Sequence, residues 1–338
     1  MNNYSVQDKD TLICTVASNS YIEGLLVFLY SLQKHFKSFT DYPFIIYFNE
    51  RVSPLSDSNK KKILKIHPSV NFKHVLFQED ELGNVFLKKP RYLATCLFFQ
   101  PFLETKYKQI LVIDSDMLCV QDFSEILDLN LEGITGIAEY EPTPHFFLLN
   151  RLIRNITGTT PFSSRGIYPS ITERFIGWRI TKENQMKAPL RKLLNLLLRK
   201  QKYRINPKHP LNTGIFLISQ SVTKKNLFSS FIKETSDFLE HSEDQNSWLG
   251  DQTIINIVKH KQKIRTNLLS RCLNAQYLSF TLFDEEKLQN VRVFHYTGSE
   301  KPWLEKTKSR NDYPFRLWRK YRYEYFEIYE SGASKSNQ

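Results

Sequence analysis

Gln109-Ile-Leu-Val-Ile-Asp114-Ser-Asp116 (QILVIDSD) carries four consecutive apolar residues straight into two carboxylates. Such a run is too short for a buried helix and rich in β-branched residues, so it reads as a strand covered on both faces. In open α/β sheets ligands gather beyond the carboxyl ends of the strands. An Asp-x-Asp at that place can present oxygens to a hard cation that also bridges phosphates. Two solvated loop carboxylates would give the same pattern, so the flanking chain has to decide.

Upstream, short apolar runs alternate with helical patterns, the signature of a layered α/β fold with a largely parallel sheet. Thr11–Ala17 (TLICTVA) predicts a buried strand, and Ile22, Leu25, Leu26, Leu29, Leu32 and Phe36 keep helical spacing over Tyr21–Phe36. Phe44–Phe48 predicts the next strand, and the helix near Asp57–Ile66 has a cap in Ser56 or Asp57. A strand over Phe72–Phe77 and a helix over Arg91–Leu103 complete this half. Downstream the alternation resumes with a strand at Thr213–Ser219, helices across Lys224–Glu240 and from Asp251, and a strand at Val291–Tyr296. One α/β domain over residues 1–304, interrupted by an insertion at 145–210 and followed by a tail at 305–338, accounts for this order.

The insertion holds the charge. Of the 338 residues, 47 are Lys or Arg and 35 Asp or Glu, a formal charge of +12. His145–Pro210 contains 14 of the basic residues and two acids, Glu173 and Glu183, which leaves 33 of each sign elsewhere. A neutral remainder excludes a uniformly basic nucleic-acid coat, and no nucleic-acid partner is expected. The 11 glycines are scattered without a Gly-x-Gly-x-x-Gly or a Gly-rich Lys-Ser/Thr loop, so a bound phosphate must be held without a glycine cradle. Cys14, Cys96, Cys119 and Cys272 form no metal-type pair and read as reduced, buried thiols. The polar start MNNYSVQDKD is unlike a signal peptide, and no apolar run approaches a membrane span, which predicts a cytoplasmic protein.

The second chemistry-bearing stretch is His295-Tyr-Thr-Gly298-Ser-Glu-Lys301-Pro302-Trp303. Imidazole ligates Mn²⁺-type ions, lysine is a point charge for phosphate, and glycine admits close backbone approach. Taken alone, such a His is as readily a structural hydrogen-bonder. A phosphatase of the haloacid-dehalogenase kind, with Asp114 as nucleophile, is a rival enzyme reading, but it wants Thr or Val where Leu118 stands. A non-enzymatic basic binding protein is a third.

Asp114-Ser-Asp116, Asn212-Thr-Gly-Ile-Phe-Leu-Ile-Ser219, Gly250-Asp251-Gln252 and His295-x-x-Gly298-x-x-Lys301-Pro302-Trp303 occur in the order and approximate spacing of glycosyltransferase family 8. The opening Cys14-Thr-Val-Ala-Ser-Asn19 resembles that family's nucleotide-binding start, and the similarity spans about residues 10–140 and 211–304. The resemblance implies a GT-A fold, a single Rossmann-like nucleotide-binding domain with a mixed central sheet. It also implies retaining transfer of a hexose, glucose or galactose, from a UDP-sugar to a glycan or lipid-linked acceptor, as in lipopolysaccharide synthesis.

Carried over onto this chain, the resemblance makes Asp114, Asp116 and His295 the ligands of a Mn²⁺ or Mg²⁺ ion on the diphosphate, with Ser115 between them. Gly298 and Lys301 become diphosphate contacts, Asn212 and the Asp251-Gln252 pair donor-sugar contacts, with Gln252 and Asp251 nearest the chemistry. Ala17, Ser18 and Asn19 correspond to the uridine-binding part and Arg91 to a basic residue preceding the Asp-x-Asp strand, while Glu139 or Glu141 is the nearest equivalent of an acidic sugar contact. The departure from the family is the basic insertion. Its Leu190–Lys200 stretch sets six leucines against Arg191, Lys192, Asn195 and Arg199 on a helical wheel, and Tyr313–Tyr329 adds eight aromatics and four basic residues. Both suit an anionic membrane surface, which predicts peripheral attachment at the cytoplasmic face of the inner membrane.

Overall fold

The structure, a computed structural model, describes residues 10–77, 92–138, 211–241, 250–276, 288–298 and 300–331. The chain divides into two units, and all of these residues except Ala138 belong to the larger, Met1–Ile137 with Leu211–Ser242 and Leu249–Gln338. Arg91, Glu139, Glu141 and the basic segment 145–210 lie outside the described residues.

The uninterrupted apolar runs form the sheet centre. Strands β1 (Thr11–Val16), β2 (Phe44–Phe48) and β4 (Gln109–Ile113) are buried at every residue, whereas β3 (Asn71–His74) is largely exposed at the edge. With β6 (Ile134–Ala138), β7 (Leu211–Ser219) and β8 (Thr266–Leu268), they make a seven-stranded sheet in the order β3-β2-β1-β4-β7-β6-β8. The pairings β2/β3, β1/β2, β1/β4 and β6/β8 are parallel, and β4/β7 is antiparallel. The β4/β7 reversal positions the site. Antiparallel pairing of Ile113 with Ile215 lays the first residues of β7 against the carboxyl end of β4, and the Asp114 N–H continues the ladder to Gly214 O at 2.8 Å.

Beyond Asp116 the chain forms β5 (Met117–Cys119), part of a small second sheet with β9 (Ala275–Gln276) and β10 (Val293–His295). β10 pairs antiparallel with β5, His295 opposite Met117, and parallel with β9. The Tyr296 N–H extends the first pairing to Asp116 O at 2.9 Å. The imidazole therefore reaches the carboxylates through a three-residue ladder.

The helices cover these sheets. α1 (Ile22–His35) buries Gly24 through Leu32 without a break because it lies beneath more than one layer, touching β5 and the C-terminal helix. Its buried Ser31 is satisfied twice, donating to Phe28 O at 2.6 Å and accepting from Cys119 N at 3.0 Å. α2 (Asp57–Ile66) starts at Ser56, whose hydroxyl accepts from Asn59 N. The helix expected over Arg91–Leu103 is instead a short α3 (Leu93–Leu97) followed by a 3₁₀ turn, Gln100–Leu103. Pro101 lacks an N–H and would clash with the preceding turn, which ends the α-helical ladder there. α4 (Gln220–Thr223), α5 (Phe228–His241) and α6 (Asp251–Lys261) follow β7.

The aromatic stretch Tyr313–Tyr329 is one helix, α7, with Pro314 in its first turn. Phe315, Trp318, Tyr321 and Tyr325 recur at helical spacing and are buried. Tyr30 of α1 meets Tyr321 and Tyr325 at 6.3 and 6.5 Å between ring centres. Lys34 and the Tyr30 hydroxyl both bond Glu324, at 2.7 and 3.1 Å. Half of the rings expected at a membrane interface are thus used within the fold, and Tyr323, Phe326 and Ile328 stay exposed beside Arg316, Lys320 and Arg322. No described helix is long and apolar enough to cross a membrane.

Candidate active site

Four strand and helix ends converge. β4 runs into Asp114-Ser115-Asp116, β7 carries Asn212 as its second residue, α6 begins with Asp251-Gln252, and β10 ends in His295. Asp116 is buried, and its carboxylate lies between two cationic partners. Oδ1 is 3.1 Å from His295 Nε2, and Oδ2 pairs with Lys301 Nζ. Lys301 also donates to Tyr296 O at 2.6 Å and lies 5.6 Å from the centre of the Tyr21 ring. Asp114 is more open and stands 3.7 Å from His295 Nε2, with its Oδ1 accepting from the Ser115 N–H at 2.8 Å.

The charges reinforce one another. Burial alone would raise the Asp116 carboxyl, but His295 and then Lys301 outweigh it and hold the group well below the usual carboxylate range. Burial would lower His295, yet Asp116 and Asp114 lift it to about 9. Lys301 is likewise raised, its burial overcome by Asp116. Desolvation and then the Asp114 charge push the Asp251 carboxyl up to about 7, against a hydrogen bond from Thr213.

Asp114, Asp116 and His295 are also arranged as ligands. One oxygen from each carboxylate and one imidazole nitrogen lie within 4.8 Å of one another. Asp116 Oδ1 is fully buried and receives no hydrogen bond, with His295 Nε2 3.1 Å away. A buried carboxylate oxygen without a donor, beside an imidazole nitrogen and a second carboxylate, is a set that fits a Mn²⁺- or Mg²⁺-type ion. Without such a cation, a proton on His295 is the charge that can stand between the two aspartates.

A second group lies behind the first. Gln252 Oε1 accepts from Asn212 Nδ2 at 3.0 Å and from Thr213 N at 3.4 Å, so what this side chain has left to offer is its amide NH₂. Asn256, one turn further along α6, bonds Gln252 O and both backbone groups of Leu211, tying the helix to β7. Ala17, Ser18 and Asn19 follow β1, which lies parallel beside β4, so they border the same end of the sheet. Ala17 is buried in the ladder to Tyr47 O, and the Asn19 carboxamide is held by Ser56 N and Asn59 Nδ2. Gly298 is exposed at φ +78, a backbone conformation that L side chains rarely adopt.

The family model for Glycosyl transferase family 8 matches residues 12–307. The chain belongs to glycosyltransferase family 8. Membership and the ladder order agree, and the fold is GT-A. Among solved structures it is similar to the galactosyltransferase LgtC in complex with donor and acceptor sugar analogues, with 14% identity and a TM-score of 0.53 over 93% of this chain and 95% of that one. It is also similar to the bifunctional WbbM glycosyltransferase, with 16% identity, a TM-score of 0.51, and 98% and 53% coverage. GlyE from Streptococcus pneumoniae TIGR4 aligns at 14% identity and a TM-score of 0.54, over 97% and 64%. The chain thus spans about half of WbbM and under two thirds of GlyE. No curated protein sequence matches it. The family decides for a glycosyltransferase over the phosphatase and the non-enzymatic binding readings.

Asp114, Ser115, Asp116, Asn212, Asp251, Gln252, His295 and Lys301 all come to this one sheet end. Sequence reasoning missed three residues there. Asn274 accepts from His295 Nδ1 at 2.9 Å, and nothing in its polar loop advertises it. Tyr21 presents a ring 38% exposed beside Lys301. Gly214 lies under the imidazole, where a Cβ would come within 2.5 Å of His295; the Asn-x-Gly spacing was the available signal.

Proposed function

We propose that this chain is a retaining, metal-dependent hexosyltransferase that moves glucose or galactose from a UDP-sugar to a glycan or lipid-linked acceptor. The observation that carries the reading is the Asp114–Asp116–His295 cluster with Lys301 at its side, at the strand ends of a family 8 fold. When bound, a Mn²⁺ or Mg²⁺ ion supplies Lewis-acid charge for the diphosphate leaving group.

The remaining work falls to the chain's own residues. Lys301 is a desolvated cation able to take up the charge that develops as the anomeric C–O bond breaks, and Gly298 admits phosphate close to the backbone. Tyr21 and the Ala17–Asn19 turn offer a flat ring and amide groups to the nucleoside. Gln252, its oxygen engaged, holds a sugar hydroxyl through its NH₂ and is a poor nucleophile. Substitution on one face follows: the electron pair of the breaking bond leaves with the UDP oxygen, and the acceptor oxygen bonds the anomeric carbon from that same side. The acceptor's proton passes to the departing phosphate oxygen. LgtC was captured with donor and acceptor sugar analogues, which supports the substrate class. The exposed basic and aromatic face of α7, with the basic segment, supports an acceptor presented at an anionic membrane, as in surface polysaccharide or lipopolysaccharide synthesis.

The test is nucleotide release from a panel of UDP-, GDP- and CMP-sugars with and without Mn²⁺. Release from UDP-glucose or UDP-galactose only, abolished by EDTA, is expected. A chain that bound no UDP under either condition would end the reading.

A further inference from the structure

A chain of side-chain amides fixes the imidazole whose Nε2 faces Asp114 and Asp116. The backbone N–H of Gly214 can only donate, and it points at one atom of the Asn212 amide at 2.9 Å. That atom must be Oδ1, so the Asn212 NH₂ faces Gln252 Oε1. The Asn274 group 2.6 Å from Asn212 Oδ1 must then be its own NH₂. Asn274 Oδ1 therefore faces His295 Nδ1 at 2.9 Å, and the proton belongs on Nδ1. Nε2 is left as the nitrogen whose lone pair can point at the ligand cluster. Asn212 and Asn274 are 5% and 3% exposed, so water does not readily relax the sequence of donors and acceptors.

We infer that Asn274 is a positioning residue for metal binding: it relays the polarity of the Gly214 N–H to His295 and holds the ring in its ligating tautomer. The inference rests on reading Asp114, Asp116 and His295 as a metal site. Partners on the second nitrogen of a ligating His typically change metal affinity by about 10- to 100-fold.

The experiment titrates the full chain with Mn²⁺ alone and follows loss of the free-ion EPR signal, alongside a thermal melt of each variant. Asn274→Ala removes the acceptor, and Mn²⁺ binding weakens by about 10- to 100-fold with a small change in melting temperature. Asn274→Asp keeps an acceptor toward Nδ1 but sets a second oxygen against Asn212 Oδ1, so the melting temperature falls while Mn²⁺ affinity stays near that of the wild type. Affinities that simply track melting temperature across the two variants would overturn the inference, as would an Asn274→Ala protein that binds Mn²⁺ like the wild type. Should Asn274→Ala not fold, lost affinity in folded Asn274→Asp overturns it alone. A wild-type chain that takes up no Mn²⁺ removes the metal site itself, and this inference with it.

Discussion

Asp116 and Asp114 are two residues apart and have different parts. Asp116 is enclosed by His295 and Lys301, so removing it strands a buried lysine, a change that typically costs about 3–5 kcal/mol. Asp116→Ala is therefore expected to lose both activity and stability, visible as a lower melting temperature. Asp114 is more exposed, and Asp114→Asn preserves the acceptor for the Ser115 N–H. That variant should melt like the wild type and still lose Mn²⁺-dependent nucleotide release, which separates ligation from folding. Gly214→Ala tests the same geometry from below. Its Cβ would press on His295 Cε1 and Nδ1 and on Asn212 Oδ1. A displacement of the ring by about 1 Å is worth on the order of 100-fold in rate, and kcat together with Mn²⁺ affinity would report it. Away from the site, His67 sits among the Phe39 and Phe44 rings, its Nε2 without a hydrogen bond. Burial lowers its pKa, so the folded state resists a proton that the unfolded chain accepts near pH 6.5. Its contribution is complete above that pH and lost as the pH falls toward the folded value. His67→Phe should accordingly show a smaller drop in urea midpoint between pH 7.5 and 5.5 than the wild type.

Among the elements, α7 and the loop before it couple the C-terminal segment to Lys301. Trp303, two residues beyond the lysine, rests on Gly24 of α1 and lies 6.1 Å from Trp318 of α7. The Tyr296 hydroxyl donates to Pro314 O at 2.7 Å. Trp318→Ala should cost about 3–5 kcal/mol, read as a shift in denaturant midpoint. Trp318→Phe should cost much less, because the indole N–H is buried without an acceptor. Elements with long apolar runs or helical periodicity, β1, α1, β2, β4 and α6, were legible in the sequence, since burial on one or both faces imposes the pattern directly. The site was legible where side-chain chemistry marked a strand end, as at Asp114, Asp116 and His295. β10 was read within the strand expected at Val291–Tyr296, but β5 and β9, of three and two residues, carry no usable period, so the ladder that brings His295 to Asp116 could not be read. The reversed direction of β7 was equally silent, because a strand buried on both faces looks the same in either direction. Asn274 was missed for another reason: its side chain bonds two partners 62 and 21 residues away, on separate elements.

At the scale of the whole molecule, the charge is divided by task. The +12 of the chain resides in residues 145–210, while the sheet end that carries Asp114, Asp116 and His295 holds one buried lysine, Lys301, beside a cluster that fits a divalent cation. A nucleoside diphosphate is small and can be held by a few convergent charges, whereas an anionic surface needs many charges spread over an area, each worth about 1 kcal/mol near the membrane and screened within a Debye length. The basic segment and the outer face of α7 match the second demand. The protein should therefore sediment with vesicles of phosphatidylglycerol and phosphatidylcholine, but not with phosphatidylcholine alone, and rising salt should release it. Reversing Arg191, Lys192 and Arg199 to Glu should abolish sedimentation yet leave nucleotide release from the UDP-sugar unchanged, because the proposed donor contacts Asp114, Asp116, His295 and Lys301 all lie outside that segment. A chain that stays in the supernatant with both vesicle types has no membrane role for this charge, and the basic segment would then be left to meet an anionic glycan acceptor directly.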